Sequence, residues 1–405
     1  MILFYEVRKK YCIFERFYMV SIAFIHNSFP AGGAERVTID IARYLKRFDG
    51  YRVFVYATRV SEGLLSDDVN DILTVRTLPS QARTAGRTKV VESYVVSDNI
   101  DVLVQVGKSL PGIEGIKERT GCKTVIACHG EPFWQRHVIM HRRQKGLVRR
   151  LMWHLWNRRR FEDGTLAMKM AKERTVRDYV LNDAYTVLCG SYRKEVIETL
   201  GLDDSGAHIY AIENAELPVT DVCYEKEKTV LFCGRFENWS KRIDRLLRIW
   251  AKVEPVLDGW RLVLVGDGRD GKMLRSLAAE LKLERVSFEG MQRDVAGYYR
   301  KASIVCLTSE TEGWPLALTE GQAQGCIGVA FDATSGIRAI LDGECGFAVP
   351  AFDEAKFAET LIKVASMDAD EQMKIRVNAV RKRSEYAPEV IAEKWKKLFD
   401  MLVIQ

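Results

Sequence analysis

Residues 304–350 read IVCLTSETEGWPLALTEGQAQGCIGVAFDATSGIRAILDGECGFAVP, and this stretch indicates the fold of the chain. An apolar run, Ile304–Leu307, is followed by small and polar residues and then by two glutamates, Glu312 and Glu320, with seven residues between them. This order is typical of a buried strand, a loop and the start of a helix. In an open α/β sheet, ligands bind outside the carboxyl ends of the strands, so both carboxylates are expected to face a ligand crevice.

The interpretation of the two glutamates depends on the residues around them. Taken alone, spaced glutamates are usually solvated positions on a helix surface. Here they belong to the sequence EGWPLALTE, which is followed by a run of small residues and a second apolar run, Ile327–Phe331. The combination resembles the E-x7-E signature of the retaining glycosyltransferases of family 4, which have two Rossmann-like domains facing a cleft, the GT-B architecture. The resemblance implies that Glu320 holds the ribose hydroxyls of a sugar nucleotide and that Glu312 contacts the transferred sugar.

Three residues between the glutamates are candidates for donor binding by the same resemblance: Gly313, Trp314 and Leu316. Pro315 departs from the family, which commonly has a second glycine here and binds the donor sugar with backbone N–H groups after the first glutamate. Proline has no N–H group, and it favours an extended backbone at the residue before it. We therefore expect the indole of Trp314 to turn toward the sugar; the alternative is that Pro315 only begins the helix.

The chain has the length and composition of a globular protein with two domains. Its 405 residues exceed a single typical core, and 47% hydrophobic with 29% charged residues is ordinary for globular proteins. The nine cysteines include no C-x-x-C pair, so we expect reduced thiols. Residues 1–18 mix charged and aromatic side chains, and no run reaches the roughly 18–20 apolar residues of a membrane span. We therefore expect a cytoplasmic protein without a secretory signal, and Met19 is a second possible start.

Apolar runs alternate with helical patterns on both sides of a linker, Glu213–Lys226, which predicts two doubly wound α/β halves. Besides the two runs named above, the predicted strands are Val20–Ile25, Arg52–Tyr56, Val102–Val106, Thr124–Ala127, Tyr185–Leu188, His208–Ile212, Val230–Cys233, Leu262–Val265 and Val286–Phe288. We predict an acceptor-side Rossmann-like domain over residues 1–213 and a nucleotide-sugar-binding Rossmann-like domain over residues 214–386. As in the similar proteins, the C-terminal helix within residues 387–405 is expected to pack back on the first domain.

Two strand ends of the first domain carry candidate residues. His26–Pro30 are predicted to form a loop after the first strand. The sequence AGGAERV, residues 31–37, follows this loop; its glycines let the backbone approach a ligand, and the next helix N-terminus favours anions. It resembles the family's G-G-A-E-R-V loop, which makes Gly33 a donor-binding candidate; the alternative is a tight turn. His129, in CHGE after the fourth strand, can bind a sugar hydroxyl or share a proton. A lone histidine is more often structural, but the family has a functional histidine at this point.

Candidate phosphate-binding residues follow the first strands of the second domain. Gly234 and Arg235 come directly after the strand, and Lys241 lies seven residues beyond Gly234. An arginine fork and a lysine point charge suit two phosphates, although such cations are often only surface charges. The arrangement resembles the family's G-R-x-x-x-x-K diphosphate motif, with one extra residue before Lys241. Gly266, in the sequence GDG, lies where the family binds the nucleotide.

Residues 136–177 are strongly basic. They contain thirteen Lys and Arg against three Asp and Glu, a net charge of +10, whereas the whole chain carries only +6. Leucine and tryptophan are interleaved with these charges, as in a basic amphipathic helix on an anionic membrane surface or against a phosphorylated acceptor. The alternative is a solvated helix with some core contacts. We expect no nucleic-acid partner, because no recognised binding motif accompanies the charge.

Together these features predict an enzyme that moves a sugar from a nucleotide diphosphate sugar to a glycan or lipid-linked glycan in bacterial capsule or lipopolysaccharide synthesis. By the resemblance, the anomeric configuration is retained. The candidate catalytic residues are Glu312, Arg235, Lys241 and His129. No cofactor and no metal ion are expected, because the only Asp-x-Asp, Asp368–Asp370, lies in a helical, solvated pattern. Two alternatives stay open: a GT-B nucleotide-sugar epimerase or phosphorylase, and a non-catalytic sugar-nucleotide-binding protein.

Overall fold

The computed structural model describes residues 19–30, 33–61, 63, 65–79, 84–137, 164–216, 219 and 221–404. Residues 1–18 and the greater part of the basic stretch, residues 138–163, lie outside the described residues. Within the described ranges, every helix is too short or too polar to cross a membrane.

The first half of the chain folds into a parallel sheet of seven strands. The strands are β1 (Val20–Phe29), β2 (Tyr51–Val60), β3 (Thr74–Thr77), β4 (Val102–Val106), β5 (Lys123–Ala127), β6 (Ala184–Val187) and β7 (Ile209–Ala211). Their order across the sheet is β3-β2-β1-β4-β5-β6-β7. The central strands are buried on both faces, as their continuous apolar sequences predict. The order reverses direction between β1 and β4, so the loops after these two strands diverge there.

Helices form the crossovers that parallel strands require. In this half they are α1 (Gly33–Leu45), α2 (Asp67–Asn70), α3 (Thr84–Ser97), α4 (Ile113–Thr120), α5 (Thr165–Leu181) and α6 (Gly190–Leu200). The buried positions of α1 recur at helical spacing, which places its apolar side against the sheet.

A second parallel sheet has six strands in the order β10-β9-β8-β11-β12-β13. These are β8 (Glu227–Cys233), β9 (Arg261–Val265), β10 (Val286–Gly290), β11 (Ala302–Leu307), β12 (Ile327–Phe331) and β13 (Gly346–Val349). The helices around and after it are α7 (Asn238–Lys241), α8 (Ile243–Val253), α9 (Gly271–Glu280), α10 (Ala296–Lys301), α11 (Leu316–Ala323), α12 (Ser335–Leu341), α13 (Glu354–Ser366), α14 (Ala369–Arg383) and α15 (Pro388–Ile404). In this sheet the order reverses between β8 and β11.

The predicted α/β fold class is confirmed, and the differences lie at sheet edges and strand ends. Two of the edge strands, β3 and β13, are not among the predicted strands: β3 is mostly polar, and β13 is apolar but has only four residues and is half buried. The stretch His26–Phe29, predicted as a loop, continues β1 instead. Its main chain stays in register with β2 as far as the pair Phe29 and Val60, so the polar residues do not end the strand.

The chain packs into two compact units. One unit holds the described residues up to Ala127 together with Leu181–Ala184 and the C-terminal part from Ala392. The other unit holds the described parts of Cys128–Val180 and Tyr185–Ile391. The first sheet spans residues 20–211 and the second spans residues 227–349. The division into domains at residues 213 and 214 stays a prediction.

Helix α15 ends in the first unit, where its aromatic residues pack on β1. The ring centroid of Phe24 lies 6.4 Å from that of Trp395 and 6.5 Å from that of Phe399, both in edge contacts. The rings of Trp395 and Phe399 are themselves 5.6 Å apart. Edge contacts between aromatic rings add to the free energy of their burial. The last helix therefore forms part of the core beneath the first sheet.

We expect Phe399→Ala to lower the free energy of unfolding by about 3–5 kcal/mol, because it removes a fully buried ring and leaves a cavity. The matched control is Val390→Ala on the same helix, where the side chain is 43% exposed and a change below about 0.5 kcal/mol is expected. Urea denaturation of both variants measures the difference. Equal stability of the two variants would contradict the packing of α15 on β1.

Candidate active site

Predicted site residues of the second sheet lie at the point where the strand order reverses. Arg235 and Lys241 lie on the segment after β8, and Glu312 lies on the loop after the adjacent strand β11. From β8 the chain continues to β9 on one side, and from β11 it continues to β12 on the other. The two loops therefore separate at the carboxyl ends of the strands, which is where open α/β sheets bind ligands.

A lysine–glutamate pair forms the centre of this site. The Nζ atom of Lys241 lies 2.7 Å from Oε1 of Glu312, and the hydroxyl of Ser309 donates to the same oxygen at 2.6 Å. The carboxylate of Glu312 is only 9% exposed, and an unpaired charge buried to that extent would cost considerable free energy. The lysine therefore stabilises the carboxylate, and a ligand that contacts Lys241 also lies within reach of Glu312.

Arg235 occupies a different environment. Its side chain is 76% exposed, and its Nη2 atom lies 3.8 Å from Oε2 of Glu237. The guanidinium is thus only loosely held and accessible to an anion in solution. Its predicted contact with a phosphate stays a prediction.

Glycine is required where the loops after β8 and β9 meet. A Cβ atom at Gly266 would lie 1.9 Å from the carbonyl oxygen of Gly234, and the φ of Gly266 is +137°, a conformation that other residues rarely adopt. The predicted nucleotide-binding glycines therefore also have a packing role, because they let two main-chain segments touch.

The turn after Glu312 packs against main chain from the CHGE sequence. A Cβ atom at Gly313 would lie 2.4 Å from the carbonyl oxygen of His129 and 2.8 Å from the Cα atom of Gly130. A Cβ atom at Gly336, in the first turn of α12, would lie 2.2 Å from the carbonyl oxygen of Gly313. Three main-chain segments distant in sequence thus meet at Gly313.

Tyr192 holds this turn in place, and the sequence offered no signal for that role. Its hydroxyl donates to the carbonyl oxygens of Glu312, at 3.0 Å, and of Gly313, at 3.1 Å. Burial raises the pKa of Tyr192 above its usual value, so the hydroxyl stays protonated and able to donate at neutral pH. Tyr192 is on α6, far from Glu312 in sequence, and only the fold brings them together.

His129 is oriented by an amide side chain. Its Nδ1 atom lies 3.2 Å from Oδ1 of Asn214, which is buried. Because an amide oxygen only accepts hydrogen bonds, this contact assigns the proton of a neutral ring to Nδ1. The other ring nitrogen, Nε2, is then the basic one.

Glu320 lies on α11, which packs closely on β11. A Cβ atom at Gly321 would lie 2.6 Å from the side chain of Val305, so the helix approaches the strand as closely as glycine allows. The buried Tyr299 is a neighbour of Glu320. Burial raises the pKa of Tyr299 well above its usual value, and the neighbouring Cys233 and Glu320 raise it further.

Trp314 is packed inside the protein, contrary to the expectation that it turns toward a sugar. Its side chain is 5% exposed, and its ring centroid lies 5.0 Å from that of Tyr386 in an edge contact. Pro315 is extended, with φ −72° and ψ 98°, and α11 begins at Leu316. The proline therefore precedes the helix as its N-cap, and the structure gives no support to sugar stacking by Trp314.

The remaining candidates lie apart from this cluster or belong to the other compact unit. Gly33 is exposed and begins α1, while residues 31–32 lie outside the described ranges. His26, predicted to lie in a loop, is buried with Nε2 2.9 Å from Oγ1 of Thr38.

Within the described residues no cluster of three or more His, Cys, Asp or Glu has the arrangement of a metal site. Asp368 caps α14 by accepting a hydrogen bond from the backbone of Glu371.

We expect Gly313→Ala to lower the free energy of unfolding by about 1–3 kcal/mol, because its methyl group overlaps the main chain of His129. Gly190→Ala, in the first turn of α6, is the matched control, since a Cβ atom there meets nothing within 4 Å. That change is expected to leave the protein unchanged or slightly more stable. Thermal unfolding measures the stability of both variants. Equal stability of Gly313→Ala and Gly190→Ala would contradict the close approach of Gly313 to the main chain of His129.

The C-terminal part of the chain matches a known family. Residues 227–367 match the family described as Glycosyl transferases group 1. Over 130 residues the chain is 35% identical to an uncharacterized glycosyltransferase of Haemophilus influenzae, covering 32% of this chain and 36% of that protein. Over 191 residues it is 29% identical to the amylovoran biosynthesis glycosyltransferase AmsD of Erwinia amylovora, covering 46% of this chain and 52% of AmsD. The chain thus spans between 36% and 52% of the length of these curated relatives.

The fold is similar to that of solved structures over nearly the whole chain. The structure of Anabaena HepE in complex with UDP and glucose superposes with a TM-score of 0.71 at 17% identity, covering 94% of this chain and 100% of HepE. An identity this low establishes the fold alone. We conclude that residues 227–367 are similar to the Glycosyl transferases group 1 family and that the chain has the GT-B fold.

Proposed function

We propose that this protein is a retaining glycosyltransferase that moves a sugar from a nucleotide diphosphate sugar to a glycan or lipid-linked glycan in bacterial surface polysaccharide synthesis. The observation that carries the proposal is the Lys241–Glu312 pair, 2.7 Å apart where the strand order of the second sheet reverses. The match of residues 227–367 to a glycosyltransferase family supports it. So does the likeness to AmsD, an amylovoran biosynthesis glycosyltransferase.

The reaction breaks the bond between the sugar and the diphosphate and forms a bond from the sugar to an acceptor hydroxyl, whose proton passes to the leaving phosphate. Negative charge grows on that phosphate as its bond to the sugar breaks. Preorganised cations stabilise such charge with little reorganisation. We assign this role to Lys241, which is fixed by Glu312, and to Arg235, whose exposed guanidinium can close on the phosphate. The carboxylate of Glu312 then accepts a hydrogen bond from the transferred sugar. His129, oriented by Asn214, contacts a sugar hydroxyl.

The proposed reaction has no metal-dependent step and uses no cofactor. In many phosphoryl and glycosyl transfers a divalent ion neutralises the diphosphate, and here the two cationic side chains Arg235 and Lys241 supply that charge. Turnover in the presence of a chelator is therefore expected to equal turnover with added magnesium.

The test begins with the donor. A panel of nucleotide sugars is screened by thermal shift, since a ligand at 100 times its dissociation constant adds about 2.7 kcal/mol of stability. Release of free nucleoside diphosphate in a coupled assay then reports transfer or hydrolysis, and NMR of the first-formed product reports its anomeric configuration. HepE, the structural neighbour, is described in complex with UDP and glucose, so UDP-sugars are the first donors to screen.

Each alternative predicts a different result in the same assays. An epimerase or phosphorylase of this fold converts or consumes a sugar without releasing free nucleoside diphosphate. A non-catalytic binding protein is stabilised by the donor and turns nothing over. An inverted product anomer would contradict retention while leaving transfer itself in place.

We expect Glu320→Ala to weaken binding of the free nucleoside diphosphate by about 1.5–3 kcal/mol, because charge-assisted hydrogen bonds to the ribose hydroxyls are lost. Glu359→Ala is the control, since Glu359 is an exposed helical glutamate paired with Lys356 at the surface. Calorimetric titration measures both affinities. Unchanged affinity in the Glu320 variant would exclude its role at the ribose.

We further propose that the basic stretch, residues 136–177, brings the protein to the anionic inner face of the plasma membrane, where a lipid-linked acceptor resides. The support is its net charge of +10 with interleaved leucine and tryptophan. The described part of the stretch includes most of α5, on which Val176 is exposed beside lysines and arginines.

Replacing Arg158, Arg159 and Arg160 by Gln is expected to weaken binding to vesicles containing phosphatidylglycerol by about 1 kcal/mol for each charge near the surface. Donor hydrolysis is expected to stay the same. The control removes three exposed lysines elsewhere, Lys194, Lys272 and Lys397, which changes the net charge equally. Equal vesicle binding by both triple variants, or salt-insensitive binding, would contradict a local membrane contact.

A further inference from the structure

Arg242, directly after Lys241, has an unusual backbone conformation. Its φ and ψ are both 47°, in the left-handed region, and it separates α7 from α8. A residue with a Cβ atom is strained there, and such strain persists only where the surroundings enforce it. Non-glycine residues in this region are concentrated at functional sites, so the contacts that enforce it are informative.

The side chain of Arg242 is held by two carboxylates. Its Nε atom lies 3.0 Å from Oδ1 of Asp244 and its Nη2 atom 3.2 Å from Oδ2, a bidentate pair. Its Nη1 atom lies 3.2 Å from Oε2 of Glu310. Burial raises the pKa of Asp244, but hydrogen bonds from Arg242 and Arg248 outweigh it and lower this pKa to about 2. The two carboxylates therefore hold the guanidinium of Arg242 in a fixed orientation.

Glu310 completes a connection between the segments that follow β8 and β11. Its carboxylate also accepts from Nη2 of Arg245 at 2.8 Å, and its backbone N–H donates to the carbonyl oxygen of Ser240 at 2.7 Å. The hydroxyl of Thr308 donates to the carbonyl oxygen of Arg242 at 2.9 Å. Side chains and main chain of the two segments are thus linked at several points.

These links surround the candidate catalytic pair. Lys241 lies between Ser240 and Arg242, whose main chains accept hydrogen bonds from the segment after β11. Glu312 follows Glu310 by two residues on that segment. A displacement of Arg242 relative to Glu310 therefore changes the separation of Lys241 and Glu312, and errors near one ångström in such groups cost large factors in rate.

We propose that Arg242 and Glu310 are positioning residues, which hold the ammonium of Lys241 at the place where charge develops on the leaving diphosphate. The inference rests on the proposed glycosyl transfer and adds two residues to it. Neither side chain needs to touch the donor. Their effect is therefore expected in the transition state, where the position of Lys241 matters most, and less in the binding of the ground-state donor.

The test uses Arg242→Gly and Glu310→Gln in the full chain, with the donor that the parent protein turns over. Glycine adopts the left-handed conformation without strain, so Arg242→Gly removes the side chain and relieves the backbone at once. Lys282→Gly is the matched control, because Lys282 has φ +55° just beyond α9 and an exposed side chain. It relieves the same kind of strain at a distance from the site.

We expect kcat to fall about tenfold or more in the Arg242 and Glu310 variants, while KM for the donor changes less than about threefold. The double variant is expected to lose little more than the worse single variant, because the two residues act as one unit. Lys282→Gly is expected to keep the kcat and KM of the parent. Thermal unfolding verifies that each variant is folded. If Arg242→Gly does not fold, the test rests on Glu310→Gln.

Three results would overturn the inference. Unchanged kcat in folded Arg242 and Glu310 variants would make the pair a surface link without influence on the reaction. A rise of KM with constant kcat would make it a donor-binding feature. A parent protein that releases no nucleoside diphosphate from any donor would overturn the proposed function, and this inference with it.

Discussion

Parallel strands can be joined only through crossovers that run along a face of the sheet, and this constraint determines where the candidate active site of this protein lies. Every strand of a parallel sheet ends at the same edge, so the loops that carry functional residues collect there. Where the strand order reverses, neighbouring loops separate and leave a crevice. In the second sheet this happens between β8 and β11, and the lysine and the glutamate of the candidate pair come from the loops after these two strands.

Close main-chain contact at glycines then fixes the loops themselves. Gly313 and Gly266 each approach a carbonyl oxygen so closely that no larger residue fits without movement. Main chain is stiffer than side chains, so contacts of this kind define positions more sharply than the packing of flexible groups. Tyr192 adds a buried hydroxyl that donates to the carbonyl oxygens of the adjacent residues Glu312 and Gly313.

Ion pairs also hold the candidate site in place, and each of its buried carboxylates is paired with at least one basic side chain. Glu312 is paired with Lys241, and Glu310 with Arg242 and Arg245. A third pair, Glu216 with Arg383, is almost fully buried near Trp314 and Tyr386. Burial raises the pKa of Glu216, and the charge of Arg383 opposes that rise. Buried ionic groups contribute little net stability, but they disfavour any arrangement in which one partner is left alone.

The sequence by itself determined the alternation of strands and helices, because buried parallel strands appear as short apolar runs and the helices between them as periodic patterns. It also placed the candidate residues Lys241, Glu312 and Glu320 after β8 and β11, since motifs at strand ends are local; their roles stay predictions. Only the tertiary structure decided that Lys241 meets Glu312, that Tyr192 holds the turn beside it, and that Trp314 packs inward against Tyr386. The edge strands β3 and β13 were not predicted either, because each has only four residues and is half exposed, and β3 is mostly polar. The physical reason is the same throughout. The periodicity of a segment depends on residues that are neighbours along the chain, whereas long-range contacts depend on the crossovers, which bring together residues far apart in sequence.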